Sequence, residues 1–93
     1  MKAIWNGKVI AESSESILFD NNHYFPAESL KKEFFKPSQA TTVCPWKGTA
    51  NYYDIVVEGK TNEGAAWYYA SPSPKASPIE GHVAFWKGVS VSA

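Results

Sequence analysis

The stretch "KAIWNGKVIAES", residues 2–13, decides the fold class. Asn6-Gly7 separates two short runs of alternating apolar and polar residues, and this dipeptide readily adopts the positive φ angles of a type I′ turn. The pattern therefore predicts an antiparallel β-hairpin in which Trp5 faces Lys8.

A second hairpin is predicted for "SILFDNNHYF", residues 16–25. The asparagine pair Asn21-Asn22 is typical of a tight turn, because asparagine tolerates positive φ. Across this turn Phe19 is expected to face Tyr24.

One short α-helix is predicted in "FPAESLKKEFFKP", residues 25–37. Pro26 suits the first helical position. Leu30 and Phe34 form a short apolar stripe at helical spacing, and Pro37 is expected to end the helix.

The remainder of the chain predicts strands joined by turns. Runs rich in aromatic and β-branched residues indicate strands at 49–59 and 64–70, and the chain is expected to return to strand at 81–92. The stretch "SPSPKASP", 71–78, is expected to be an extended, polyproline-like loop, because its prolines lack backbone donors. Residues 1–93 are therefore expected to form one compact, mostly β, antiparallel domain.

The composition argues against several classes of protein. Nine lysines balance nine acidic residues, so the chain lacks the basic surplus that drives nucleic-acid binding, and no nucleic-acid partner is expected. A single cysteine forms neither an internal disulfide nor a multi-cysteine zinc site. With no N-terminal signal stretch and no apolar run of about 18 residues, the expected location is the cytoplasm, with no membrane contact.

Five segments carry a family resemblance: "IWNGKVIAES", "NHYFPAESL", "TTVCPWKGTANYY", "GAAWYYASPSP" and "GHVAFW". In this order, and over essentially the whole chain, they resemble the bacterial domain of unknown function 427. The resemblance implies the β-tent fold of the Mss4-like group, in which short sheets lean on each other over one core. It also implies nucleotidyl transfer, which is the label that this family carries.

Metal and cofactor expectations follow from the residue types present. Many Mss4-like relatives hold zinc with two Cys-x-x-Cys pairs, and one cysteine with two histidines does not supply that site. The chain contains neither an Asp-x-Asp pair nor a glycine-rich phosphate loop. No metal and no cofactor are therefore expected.

The motif "TTVCPWKG", residues 41–48, contains the first candidate site residues. Pro45 favours an extended Cys44, whose thiol is either a nucleophile activated by Lys47 or a histidine, or a buried small hydrophobe. Lys47 is either an anion contact or a solvated turn residue. Gly48 allows a tight bend or a close approach to a ligand.

The two histidines are candidate proton carriers. His23 and His82 would act as a base and an orienting group, or as two metal ligands, if the fold brought them to one cleft, and His23 is the better candidate. Neither has a His-x-His or His-x-x-His partner, so the alternative is an ordinary hydrogen-bonded strand histidine.

Aromatic residues are concentrated in the predicted strands. Because side chains alternate along a strand, Trp67 and Tyr69 share one face and Tyr68 points the other way. The functional hypothesis is an aromatic-walled pocket for a flat or apolar ligand, and the alternative is core packing. The expected contact residues are Trp46, Gly48, Tyr53, Trp67, Tyr69 and His82, with Cys44, Lys47 and His23 as catalytic candidates.

These observations favour a small-ligand site, binding or weakly catalytic, at the Cys44–Gly48 elbow. The alternative is a non-enzymatic module whose aromatic surface contacts a protein partner or a second copy of itself. Nucleotidyl transfer is the third hypothesis.

Overall fold

Nine β-strands form three antiparallel sheets in the computed structural model, which describes residues 1–93. The strand orders are β2-β1-β9, β3-β4 and β5-β6-β7-β8. The strands are Lys2–Trp5 (β1), Lys8–Glu12 (β2), Ile17–Phe19 (β3), Asn22–Tyr24 (β4), Phe35–Cys44 (β5), Gly48–Val57 (β6), Lys60–Tyr68 (β7), Val83–Phe85 (β8) and Ser90–Ser92 (β9). The predicted mostly β, antiparallel fold is confirmed, and the β-tent grouping stays a prediction.

The first hairpin forms as predicted. Asn6 and Gly7 have φ angles of 51° and 76°, and Trp5 pairs with Lys8 across the turn. The Asn6 side chain also donates a hydrogen bond of 3.1 Å to the backbone oxygen of Val57. The turn is therefore attached to the far end of β6.

The second hairpin turns one residue earlier than predicted. Asp20 and Asn21 have the positive φ angles, 51° and 65°, and Tyr24 pairs with Ile17 instead of Phe19. Aspartate tolerates the left-handed conformation nearly as well as asparagine, so the sequence allows either position for the turn. Ile17 and Phe19 lie on the same strand face, so Phe19 still packs beside Tyr24, with ring centroids 6.3 Å apart.

The predicted α-helix is wrong. Ala27–Ser29 and Lys32–Phe34 are single 3₁₀ turns, and extended backbone at Leu30 and Lys31 separates them. The Lys31 amide donates to the backbone oxygen of Ile10 at 2.8 Å, and Leu30 is buried. Pairing with the edge of β2 therefore outweighs the weak helical periodicity of this segment.

The proline-rich segment is also not the predicted polyproline-like loop. Pro74–Ile79 forms a 3₁₀ helix, and Ser73 just before it is extended. Ala76 and Ile79 lie three residues apart, which places them on one side of a 3₁₀ helix, and both are fully buried. Burial of this side explains why the segment coils.

The core is divided between the two faces of the four-stranded sheet. Consecutive residues alternate between faces, so Tyr68 packs against one cluster and Tyr69 belongs to the other. The first cluster includes Phe25, Ile55, Val57 and Phe85. The second cluster consists of Tyr24, Ala50, Tyr69, Ala76, Ile79 and Ala84. None of the helical turns has the length and hydropathy that crossing a membrane requires.

Candidate functional site

A cavity of about 160 Å³ opens on the sheet face that carries the second cluster. Alternation along β6 and β7 places three of its aromatic side chains on this face, and the fourth follows the end of β8. The lining residues are Lys47, Tyr52, Trp67, Tyr69 and Trp86.

A second cavity of about 210 Å³ adjoins the first, and the two share Tyr52 and Trp86. Its other lining residues are Ala40, Thr42, Gly64 and Lys87. We call the two cavities together the aromatic groove.

Hydrogen bonds hold the aromatic walls in place. The Tyr52 hydroxyl lies 2.8 Å from Oγ1 of Thr42. The Trp86 indole donates to the Gly64 oxygen at 2.6 Å, although 47% of Trp86 is exposed. A half-exposed indole with a fixed orientation is a preformed contact surface, because little rotamer freedom remains to be lost on binding.

The floor of the groove is formed by Trp67. Its ring is nearly perpendicular to that of Trp86, with centroids 5.9 Å apart and an interplanar angle of 82°. Its indole nitrogen donates to the buried Tyr24 hydroxyl at 3.3 Å. The groove is thus continuous with the second cluster.

Lys47 is the charged residue of the inner end of the groove. It is only 7% exposed, and its ammonium forms an ion pair with Asp20 and lies 5.1 Å from the Trp46 ring centroid. Burial lowers the pKa of Lys47, but the hydrogen bond to Asp20 and the nearby Tyr24, Tyr69 and Asp20 charges raise it more, so this pKa lies above its ordinary 10.5.

Burial in turn raises the pKa of Tyr69, although the charge of Lys47 opposes that effect. At neutral pH the inner end of the groove therefore presents a phenol and an ammonium that is already paired.

The Cys44–Gly48 elbow is the tight turn between β5 and β6. Cys44 pairs with Gly48. The backbone amide of Ser73 donates to the backbone oxygen of Lys47 at 2.8 Å, and the Ser73 hydroxyl donates to the backbone oxygen of Trp46 at 2.5 Å. Gly48 has a φ of 119°, and a Cβ there would lie 3.4 Å from a backbone oxygen of the same proline-rich segment. That segment thus braces the elbow and fixes where Lys47 enters the groove.

Cys44 and Trp46 lie beside the groove and do not line it. Cys44 is a free, half-buried cysteine that packs against the second cluster. Trp46 is 45% exposed, and its ring rests against Phe19, with centroids 5.9 Å apart.

The structure does not bring either histidine into the groove. His23 pairs with the exposed Leu18 and occupies the face of β4 opposite to the buried Tyr24. His82 precedes β8, and its Nδ1 lies 3.0 Å from the backbone oxygen of Glu80.

Tyr53 lies on the other face of the sheet from Trp67. It stacks on Tyr68, with centroids 5.0 Å apart, and burial followed by the proximity of Tyr68 raises the pKa of its phenol. Its neighbouring cavity of about 370 Å³ is lined by Ala27, Leu30, Lys32, Phe35, Pro37 and Tyr53. Of the predicted site residues, the structure therefore brings Lys47, Trp67 and Tyr69 together, with Gly48 shaping the adjoining turn.

Sequence reasoning missed Trp86 and Lys87. One signal was available, because the tripeptide Trp-Lys-Gly occurs twice, at 46–48 and 86–88. Lys47 of the first copy lines one cavity of the aromatic groove, and Lys87 of the second copy lines the other.

Two acidic residues near the groove, Asp20 and Asp54, are engaged by other groups. Asp20 pairs with Lys47, and Oδ1 of Asp54 accepts a hydrogen bond of 2.8 Å from the Gly64 amide. No three His, Cys, Asp or Glu side chains are grouped in a way that would hold a metal ion.

Comparison with protein families matches nearly the whole chain to one family model. A family model described as "Domain of unknown function (DUF427)" matches residues 1–92. No curated protein matches the chain.

Proposed function

This chain belongs to the DUF427 family, a domain of unknown function, and we propose that it binds a flat, aromatic small molecule in the aromatic groove. The observation that carries the proposal is the convergence of four aromatic side chains and one buried lysine on one cavity. Ligand sites are typically apolar and aromatic concavities with a few fixed polar groups.

The size of the groove limits the size of the ligand. Its two parts measure about 160 and 210 Å³, and each is smaller than the roughly 300 Å³ at which drug-sized pockets begin. These volumes favour a ligand of one or two fused rings. Such a ring would stack on Trp86 and meet Trp67 edge to face.

The proposal assigns binding to the groove and no reaction step to Cys44 or His23. Cys44 packs against the second cluster, and His23 is on the opposite face of β4. In the proposal Lys47, held by Asp20, contributes the polar edge of the inner wall.

Calorimetric titration with neutral naphthalene-2-carboxamide tests the proposal in a pair of matched variants. Trp86→Ala and Trp46→Ala each remove a half-exposed indole that lies 5.1 Å below a lysine ammonium, but only Trp86 lines the groove. We expect Trp86→Ala to weaken binding about tenfold, a loss of about 1.4 kcal/mol, and Trp46→Ala to change it less than about twofold. Absence of binding by the wild-type protein, or equal losses in both variants, would contradict the proposal.

Self-association is the second candidate, and strand β5 favours it. This ten-residue strand lies at the edge of the four-stranded sheet, and no charged side chain lies in 37–44. An exposed, uncharged edge with free backbone groups is a template for pairing with another strand. Val43, 76% exposed, adds an apolar contact to that edge.

Sedimentation velocity distinguishes this candidate from the first. If copies pair through β5, Thr41→Lys should shift the protein from dimer to monomer, whereas Thr61→Lys on the inner strand β7 should not. A wild-type protein that sediments as a monomer would rule the candidate out.

Nucleotidyl transfer, which the family resemblance implies, has less support from the residues at the groove. That reaction ordinarily needs grouped carboxylates that hold Mg²⁺ beside the phosphates. Asp20 is paired with Lys47, Asp54 is hydrogen-bonded to Gly64, and they do not form a magnesium-binding group. The residues present do not fit that metal.

A further inference from the structure

We propose that the ligand of the aromatic groove is an aromatic anion, an aryl carboxylate or aryl phosphate, whose charged group pairs with Lys87. This inference rests on the proposed function and specifies the ligand class and its orientation. The rings would lie toward Lys47 and Tyr69, and the anionic group would lie at the outer end.

The two Trp-Lys-Gly copies have a similar local geometry. In each copy the lysine Nζ lies 5.1 Å from the ring centroid of the preceding tryptophan. In each copy the glycine has positive φ, 119° at Gly48 and 86° at Gly88. Both lysines therefore project from tight turns over an indole face, which is a favourable position for a cation.

The two lysines differ in the charge that surrounds them. Lys47 is nearly buried and its ammonium is paired with Asp20, so a ligand anion there would compete with a carboxylate already in place. Lys87 is exposed, and no carboxylate lies within 4.0 Å of its ammonium. Of the two charges at the groove, that of Lys87 is the one left to balance a ligand anion.

Lys87 is held in place by backbone interactions that leave its charge unneutralised. Its Nζ donates to the backbone oxygen of Glu63 at 3.0 Å, and its own backbone oxygen accepts from the Asn62 side chain at 2.8 Å. An ammonium has three donors, so two remain for a ligand. A cation that is already oriented loses less conformational entropy when it binds an anion.

Gly64 keeps the space between Lys87 and the aromatic wall open. A Cβ at Gly64 would lie 3.7 Å from Nζ of Lys87 and 3.9 Å from Cδ2 of Tyr52. The ammonium and the Tyr52 ring therefore both border Gly64 at the mouth of the groove. A rigid ligand that stacks in the groove reaches the ammonium with a substituent on its ring.

Calorimetry with two probes of the same shape tests the inference. Naphthalene-2-carboxylate and naphthalene-2-carboxamide differ in charge, and we expect the wild-type protein to bind the carboxylate about fivefold more tightly, the value of an ion pair of about 1 kcal/mol. In Lys87→Gln that preference should fall below about twofold, with the affinity for the carboxamide retained. Lys60→Gln, an exposed lysine in another hairpin, is the matched control and should keep the preference.

The outcomes separate this inference from the proposed function. Equal binding of the two probes by the wild-type protein would overturn the aromatic-anion inference and leave the groove as a neutral aromatic site. Equal weakening of both probes in Lys87→Gln would also overturn it, because the lysine would then act through the shape of its turn. Failure of both probes to bind the wild-type protein would overturn both proposals.

Discussion

Lys47 holds a charge almost entirely out of water, and Asp20 is its partner. The two residues are 27 positions apart and meet because the tip of the β3–β4 hairpin reaches the Cys44–Gly48 elbow. Removing one member of a buried pair costs more than removing the charge of both, because the remaining ion is left without a partner.

The first prediction compares the two halves of this pair. Asp20→Asn should lower the free energy of unfolding by about 1–2 kcal/mol, a value reduced by the half-exposed position of Asp20. Lys47→Met should cost less, because it removes the buried charge and keeps an apolar side chain against the rings. Urea denaturation of both variants measures this; a larger loss for Lys47→Met would contradict it.

The second prediction concerns alkaline pH. The folded-state pKa of Lys47 is raised above 10.5, so its contribution to stability is present below that pH and is lost as the pH rises through the folded-state value. The difference in unfolding free energy between the wild-type protein and Asp20→Asn should therefore be constant near neutrality and should shrink above pH 10.5.

Urea denaturation along a pH series measures that difference. Tyr53 and Tyr69, whose pKa values are also raised, are present in both proteins, so their loss of stability largely cancels in the comparison. A difference that grows with pH would contradict the prediction.

The third prediction concerns Gly48 in the elbow. Its φ of 119° lies in a region that side chains rarely adopt, so Gly48→Ala should cost about 2–3 kcal/mol. Gly59, with φ of 79° and open space around it, is the matched control, and Gly59→Ala should cost about 1 kcal/mol. Thermal unfolding of both variants compares the two losses of stability. A smaller loss in Gly48→Ala than in Gly59→Ala would contradict the prediction.

At the scale of elements, the sequence correctly predicts the features that depend on neighbouring residues, namely a tight turn and the alternation of side chains along a strand. Asn6-Gly7 set the first hairpin, and alternation correctly separated Tyr68 from Trp67 and Tyr69. Local apolar spacing predicts a helix after Pro26. The prediction is wrong because the segment pairs with β2, which lies about 20 residues earlier in the chain. That pairing depends on tertiary structure, and no periodicity within the segment reports it.

The same dependence on tertiary structure explains which residues of the site the sequence predicts and which it does not. Trp67 and Tyr69 share a strand face, which the sequence shows directly. Trp86 reaches the groove only because β8 pairs with β7, and Asp20 reaches Lys47 only through contacts between hairpins. Such long-range pairings leave no periodic trace in the sequence.

The fourth prediction concerns the brace between the proline-rich segment and the elbow. Ser73→Ala removes the hydrogen bond to the Trp46 oxygen and should cost about 1 kcal/mol, with faster amide exchange in the elbow. Ser77→Ala, an exposed serine in the same segment, should change stability by less than about 0.5 kcal/mol. Hydrogen exchange followed by NMR compares the amide exchange rates of the elbow in the two variants. Unchanged exchange in Ser73→Ala would show that this hydrogen bond is dispensable.

At the scale of the whole molecule, strand β4 joins the two halves of the core. Tyr24 belongs to the second cluster, and the next residue, Phe25, belongs to the first. Phe25 exchanges two backbone hydrogen bonds with Val83, at 2.7 and 2.8 Å, so the small hairpin is also attached to the main sheet. Loss of one cluster is therefore expected to disrupt the other.

The fifth prediction follows from this connection. Phe25→Ala should lower the free energy of unfolding by about 3–5 kcal/mol, because the ring is fully buried and meets Phe85 edge to face. Leu18→Ala, at a position 65% exposed in the same hairpin, should change it by less than about 0.5 kcal/mol.

Denaturation followed by both tyrosine absorbance and backbone circular dichroism measures these effects. The wild-type protein should give a single coincident transition by the two probes, as expected for one domain. Two separated transitions would contradict the coupling of the clusters.

The near-perpendicular pair of Trp67 and Trp86 also makes the protein its own optical reporter. The two indole centroids are 5.9 Å apart, which is close enough for their ultraviolet transitions to interact. The other two tryptophans, Trp5 and Trp46, stand outside this pair. A ring that stacks on Trp86 and meets Trp67 edge to face changes the surroundings of both indoles, so we expect occupancy of the groove to be readable from their near-ultraviolet signal without a label.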